Sequence, residues 1–203
     1  MKVIHITFSD SFGGASIAAY RIHKGLQENK IDSNMYVVRK LTDDPTVFST
    51  RKIFTRFKED QLFPKFDNFI KDIFYPNNNK EVFTSNIFSS INIPKEVIDK
   101  ADIIHIHWIG FGTFSPSKLS KLNKPIVWLL HDTYAFTGGC HYTNGCNLFE
   151  TKCGKCPVLN SCNNFDLANY NWKRKNNALN KINNFNVVTP SQWLADLAKN
   201  SSI

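Results

Sequence analysis

The sequence predicts an α/β fold, a single parallel sheet flanked by helices, within one domain of 203 residues. Three observations point there. A short β-branched apolar run at residues 2 to 8 breaks at a loop carrying Gly13 and Gly14, and a helical pattern and a second apolar run follow it. Residues 101 to 109 and 125 to 130 are near-continuous apolar runs, the mark of strands buried on both faces. Extended and helical segments alternate, and a right-handed crossover between such segments places the strands parallel.

Taken in order, residues 2 to 8 read as the first strand and the glycine loop as its turn. Ala18, Ile22 and Leu26 recur at four-residue intervals as one face of an amphipathic helix, and residues 33 to 38 form the second strand. From Arg51 to Phe74 the apolar positions Phe54, Phe57, Phe66, Phe69, Ile70, Ile73 and Phe74 recur at three and four spacings around Pro64, which predicts two helical pieces. Pro94 opens a short helix to Lys100, and the strands at 101 to 109 and 125 to 130 follow. Residues 138 to 163 hold the cysteines and little periodicity, so they read as a loop or knuckle protruding from the sheet. A helix over residues 165 to 182, a strand over 185 to 189 and a last helix capped by Ser191 complete the chain.

With 42% hydrophobic and 21% charged residues the chain has the material for a core, which excludes wholesale disorder. The net charge of +8 leans toward anionic partners. Lys173-Arg174-Lys175 is the densest basic run late in the chain, too little for a nucleic-acid face, and no nucleic acid is expected. No stretch has the ~20 apolar residues of a membrane span, and Ser9 and Asp10 interrupt any leader-like start, so the expected location is the cytoplasm. All five cysteines lie between Cys140 and Cys162, which in that compartment suggests metal or free thiols before a disulfide framework.

Several motifs carry chemistry. Gly13-Gly14 sits between a strand and a helix, where backbone amides and the helix dipole receive phosphate; a tight turn is the plainer reading. No G-x-G-x-x-G pattern is present and Arg39-Lys40 ends the second strand, which disfavours a nicotinamide cofactor. His131 and Asp132 follow a strand at the carboxyl edge of the sheet, where open α/β sheets bind ligands. His105 and His107 alternate onto one face and read as core or crevice residues. Cys153 and Cys156 form a C-x-x-C knuckle that Cys140 and Cys146, or His141, would close around a structural zinc, with Cys162 spare. Free thiols, a disulfide and an iron–sulfur cluster are the alternatives.

The order of five segments carries a resemblance. Residues 12 to 23 (FGGASIAAYRIH), 101 to 108 (ADIIHIHW), 128 to 142 (WLLHDTYAFTGGCHY), 153 to 157 (CGKCP) and 189 to 194 (TPSQWL) resemble the amino-terminal domain of family 4 glycosyltransferases. They are most similar to the bacterial surface-polysaccharide subgroup with a cysteine-rich loop. The resemblance implies one Rossmann-like lobe of a two-lobe GT-B architecture. It also implies a sugar moved with retention from a nucleotide-sugar donor to a saccharide or lipid-linked acceptor, without a catalytic metal. The acceptor-side lobe would be residues 1 to 203, and the donor lobe would be missing or a separate polypeptide, leaving this chain alone inactive. By position, Gly13 and Gly14 would approach the donor diphosphate, and His131 and Asp132 would line the cleft near the transferred sugar. Trp108, Tyr134 and Phe136 would stack on sugar faces, core packing being an equal reading of Trp108. Lipid-linked acceptors imply contact with the inner-membrane surface, for which Arg51 to Phe74 with its basic flanks is the candidate, against a core-packed helical pair. The competing class is a non-enzymatic, zinc-knuckled Rossmann-like binding module.

Overall fold

The computed structural model describes residues 1–49 and 68–203. Its elements are β1 (Lys2–Ser9), α1 (Gly14–Glu28), β2 (Asp32–Arg39), β3 (Val47–Ser49), α2 (helical over 68–74), α3 (Lys95–Asp99), β4 (Ile103–Ile106), α4 (Pro116–Leu119), β5 (Ile126–Leu129), α5 (Leu167–Leu179), β6 (Phe185–Val188) and α6 (Gln192–Asn200). The strands form one sheet in the order β3-β2-β1-β4-β5-β6, and every pair is parallel. This is an α/β Rossmann-like fold. The order reverses between β1 and β4, so a crevice opens beyond their carboxyl ends, the usual ligand position in such sheets.

The sheet divides two cores. On one face Ile4, Ile6, Ile104, Ile106, Ile126 and Trp128 join a large apolar cluster that also takes in residues of α4, α5 and α6. On the other, Ala19 of α1 closes over Met35, Val37 and Val47. β4 and β5 alternate buried and half-buried positions, so they are less enclosed than their unbroken apolar sequences predict.

Two expectations need correcting, and a third feature was not anticipated. The buried side of α1 is Ser16, Ala19 and His23, one step round from Ala18, Ile22 and Leu26, because the sheet beneath presents polar partners to it. The cysteine loop does not protrude: Phe149, Val158 and Leu159 are buried, and Cys153 and Cys156 belong to the large core. The Asn- and Lys-rich α5 turns polar side chains inward. Asn169 donates to the Cys153 carbonyl, Arg174 to the Asn86 carbonyl and the Ser115 hydroxyl, and buried Lys175 to the Tyr134 carbonyl, so Lys173-Arg174-Lys175 is not a surface patch. β3 and α4, three and four residues long, carry too few residues for a periodic signal.

Residues 51–67, including Phe54, Phe57 and Phe66, lie outside the described residues. Over 68–74 Phe69, Ile73 and Phe74 are exposed, whereas Lys71, one of the cations of the expected basic flanks with Arg51, Lys52, Arg56, Lys58 and Lys65, is buried and donates to the Glu81 carbonyl. Among the described residues no helix is long and apolar enough to cross a membrane.

Candidate functional site

The crevice is built from three strand ends. After β1, the Ser9 hydroxyl accepts from the amides of Ser11 and Phe12, which shapes the start of the glycine loop. Asp10 is fully buried and accepts from the amides of Leu41 and Thr42 and the Thr42 hydroxyl, tying this loop to the segment after β2. Burial pushes the Asp10 carboxyl up, but those donors outweigh it and hold it below the usual carboxylate range. Nothing in the sequence singled out Asp10, because its partners lie more than thirty residues away.

Gly13 adopts φ of 83°, a left-handed conformation that favours glycine, and starts α1 without a side-chain cap. No acidic side chain occupies the first turn of α1, and a Cβ on Gly13 or Gly14 would meet nothing within 4 Å. The helix therefore presents uncapped amides to open space, the arrangement that suits an anion. The guanidinium of Arg39, last residue of β2, sits 4.8 Å from the centre of the exposed Phe12 ring beside this loop. Phe8, Gly13, Gly14, Ser16, Trp108 and Phe111 line a single groove here. Trp108 is half-buried and anchored to β1, its carbonyl accepting from the Phe8 amide at 3.1 Å. Asn86 braces the loop behind Phe111, donating to the Ile109 carbonyl and accepting from the Gly112 amide at 2.6 Å.

Beyond β5, His131 is half-buried and Asp132 turns inward. One oxygen of Asp132 accepts from Trp108 Nε1 at 2.7 Å and His141 Nδ1 at 2.6 Å, and the other from the Tyr134 amide at 2.9 Å. Burial raises its pKa, and His141 with the other two donors more than reverses that, so it stays ionised. Asp132 is thus an orienting carboxylate that holds Trp108 at the groove, not a group free to face a sugar. His141 Nε2 takes the Thr84 hydroxyl at 2.9 Å, so both its nitrogens are engaged and it is unavailable to a metal. Tyr134 and Phe136 are buried, stacked on His141 and packed on Phe149, and present no face for sugar stacking. Burial pushes the pKa of His131 below its ordinary value although Asp132 opposes it, which leaves the imidazole neutral near pH 7.

A second group of histidines lies under α1. His5 and His105 are register partners in β1 and β4, and His107 follows two residues on, with one nitrogen from each lying within 4.8 Å of the others. His105 and His107 were expected as core or crevice residues; His107 is buried and His105 half-buried. Burial drives His5 and His107 well below the ordinary histidine value and brings His105 to about 4.

Cys140, Cys146, Cys153 and Cys156 line one cavity, and Cys162 is exposed outside it. The Cys140 and Cys156 sulfurs are 3.9 Å apart, close to the separation of two thiolates ~2.3 Å from a shared tetrahedral ion. No three of the sulfurs lie within 4.8 Å of one another. The hydrogen bond between Cys140 and Cys156 pushes the first thiol up and the second down. Burial raises Cys153 to about 12 against the opposing charge of Lys175.

No family model matches the chain. Over 153 residues it is 28% identical to "Putative colanic acid biosynthesis glycosyl transferase WcaC" of Escherichia coli (strain K12), a match covering 73% of this chain and 33% of that protein. The chain spans about a third of the length of the curated relative it matches. The likeness supports a glycosyltransferase relationship.

Proposed function

We propose that residues 1–203 form the acceptor-binding lobe of a retaining, GT-B-type glycosyltransferase, moving a sugar from a nucleotide-sugar donor to a growing surface polysaccharide or lipid-linked oligosaccharide. The observation that carries this reading is that Trp108 links two cavities at the carboxyl edge of a parallel sheet, lining a groove with Gly13 and Gly14 at the β1/β4 switch point and a small cavity with His131 beside it. The likeness to a protein named for colanic acid biosynthesis agrees with it. Departure of a nucleoside diphosphate builds negative charge, which the uncapped amides at Gly14 and Ala15, the α1 dipole and Arg39 stabilise. His131, neutral and at the crevice, hydrogen-bonds a sugar hydroxyl. Trp108, held by Asp132, offers its ring to a sugar face.

Zinc held by Cys140, Cys146, Cys153 and Cys156 belongs to the same proposal. The Cys140–Cys156 spacing suits the ion and the other two thiols line the cavity, so they would close in on loading. Bound there, zinc would be structural, cross-linking the loop, and buried Lys175 would offset thiolate charge. Contact with an anionic membrane surface would fall to the exposed Phe69, Ile73 and Phe74.

The test is sugar transfer from a panel of nucleotide sugars to lipid-linked acceptor, by a polypeptide joining this lobe to a donor lobe. His131→Ala should lower kcat/KM by roughly 100-fold, the scale of losing one polar contact made in the transition state. Residues 1–203 alone should show no sustained turnover; turnover by them would place the catalytic machinery wrongly.

A further inference from the structure

Six polar side chains form one continuous hydrogen-bonded chain across the α1 face of the sheet. Asp44, in the β2–β3 connection, accepts from the Thr46 hydroxyl. Thr46 Oγ1 is 2.9 Å from His23 Nε2, and His23 Nδ1 is 2.7 Å from Ser33 Oγ. Ser33 Oγ is 3.1 Å from His5 Nε2, and His5 Nδ1 is 2.9 Å from His107 Nε2. His5, His23, Ser33 and His107 are buried.

The direction of every link follows from one end. Asp44 is held ionised, because the Thr46 hydroxyl and amide, Lys24 and Tyr20 outweigh its burial, so it only accepts and the Thr46 proton points to it. Thr46 Oγ1 must then accept from His23 Nε2–H. Burial keeps His23 neutral, so its Nδ1 is a lone pair and takes the Ser33 proton. Ser33 Oγ in turn accepts from His5 Nε2–H, and the bare His5 Nδ1 accepts from His107 Nε2–H. Since His107 is neutral, its Nδ1 is a second lone pair. That atom is buried and has no hydrogen-bond partner among the described residues, and the same holds for Nε2 of His131. The two rings are 5.8 Å apart at their centres, tilted by 30°, and line one small cavity. Two lone pairs here would repel and stay unmet, whereas a proton on His131 Nε2 lets it donate directly to His107 Nδ1 on a small closure of the two rings, meeting both nitrogens at once; a water donating to both lone pairs would instead leave His131 as the Nδ1–H tautomer.

We propose that Asp44, Thr46, His23, Ser33, His5 and His107 act as a tautomer relay that fixes His131 in its Nε2–H form, so that the His131 Nδ1 lone pair is offered to a substrate hydroxyl at the crevice. This rests on the glycosyltransferase reading for the hydroxyl, but not for the tautomers. No proton needs to move along the chain. Its six members are positioning residues, and His131 alone meets the substrate. His105, whose ring lies 4.2 Å from that of His107, packs beside the chain without joining it.

The experiment is two-bond 1H–15N correlation of the imidazole rings in the full 15N-labelled chain at pH 7, without any sugar. The expected spectrum shows His5, His23, His107 and His131 all as Nε2–H tautomers. An Nδ1–H or doubly protonated ring at any of the four overturns the relay. Ser33→Ala should return His5, His107 and His131 to tautomer mixtures, and Ser33→Thr should keep the wild-type pattern; an unchanged His131 in Ser33→Ala overturns the coupling. Thr46→Val repeats the test from the half-buried end should Ser33→Ala not fold. Added zinc or nickel that shifts the His5, His105 and His107 rings together would reassign these imidazoles as metal ligands and also refute the relay. Failure of sugar transfer would leave the tautomer result standing, so the two readings fail separately.

Discussion

Replacing Asp132 by Asn separates an orienting carboxylate from a substrate-binding one. In the wild type its two oxygens serve three donors, two of them ring N–H groups converging on a single oxygen. An asparagine has one oxygen. Its better orientation keeps that oxygen toward Trp108 and His141 and turns the NH2 toward the Tyr134 amide, so that the amide and the NH2 facing it are both left unmet. That costs about 1–3 kcal/mol, and converting two charge-assisted bonds to neutral ones adds about 1 kcal/mol more. The expected loss is therefore about 3 kcal/mol. With an m-value of about 2.5 kcal/mol per molar urea, the midpoint should fall by roughly 1 M with m unchanged, followed by circular dichroism. Trp108 should also lose its anchor, which the tryptophan emission of the native state reports. A midpoint within about 0.3 M of wild type, with sugar transfer abolished, would show that Asp132 faces substrate and that the three bonds do not hold it.

Stability should fall on acidification from pH 6.5 toward 4. Burial lowers the folded pKa of His5, His23, His105 and His107, so between those values and 6.5 the unfolded chain binds more protons and gains on the native state. His105, at about 4, contributes about 3 kcal/mol of the loss by itself, and equal urea midpoints at pH 7 and pH 5 would refute the burial of these imidazoles. Gly138→Ala places a Cβ 2.5 Å from the Ala168 carbonyl oxygen in α5 and should cost about 1–3 kcal/mol, whereas Gly14→Ala meets open space and should leave the thermal midpoint unchanged or raised. Zinc removal by chelator should lower the thermal midpoint of protein purified under reducing conditions, and Cys156→Ser should abolish binding while Cys162→Ser retains it; well below one zinc per chain in the wild type counts against the site. Vesicle binding should require anionic lipid, weaken with salt and fall when Phe69 and Phe74 are both changed to Ser.

The alternation of strands and helices, the parallel sheet and the position of the glycine loop are written in local periodicity and turn chemistry that span only a few residues. The C-x-x-C pair was legible for the same reason, as a short-range spacing; that Cys140 and Cys146 line the same cavity is a feature of the folded loop. Which way side chains face depends instead on long-range packing. Tyr134 and Phe136 read as aromatic platforms, yet the 3-10 turn they share packs them into the core. Asp132 read as a cleft carboxylate, yet Trp108 and His141, brought to it from 24 residues before and nine after, draw it inward. The stripe of α1 was misplaced by one step because hydropathy assigns polar Ser16 and His23 to solvent, while Ser33 of β2 and Thr46 of the β2–β3 connection meet His23 from below. The histidine chain depends on the registers that set His5 beside His105 and Val3 beside Ser33. Register is a property of strands paired across 30 to 100 residues, and no local pattern in the chain encodes it.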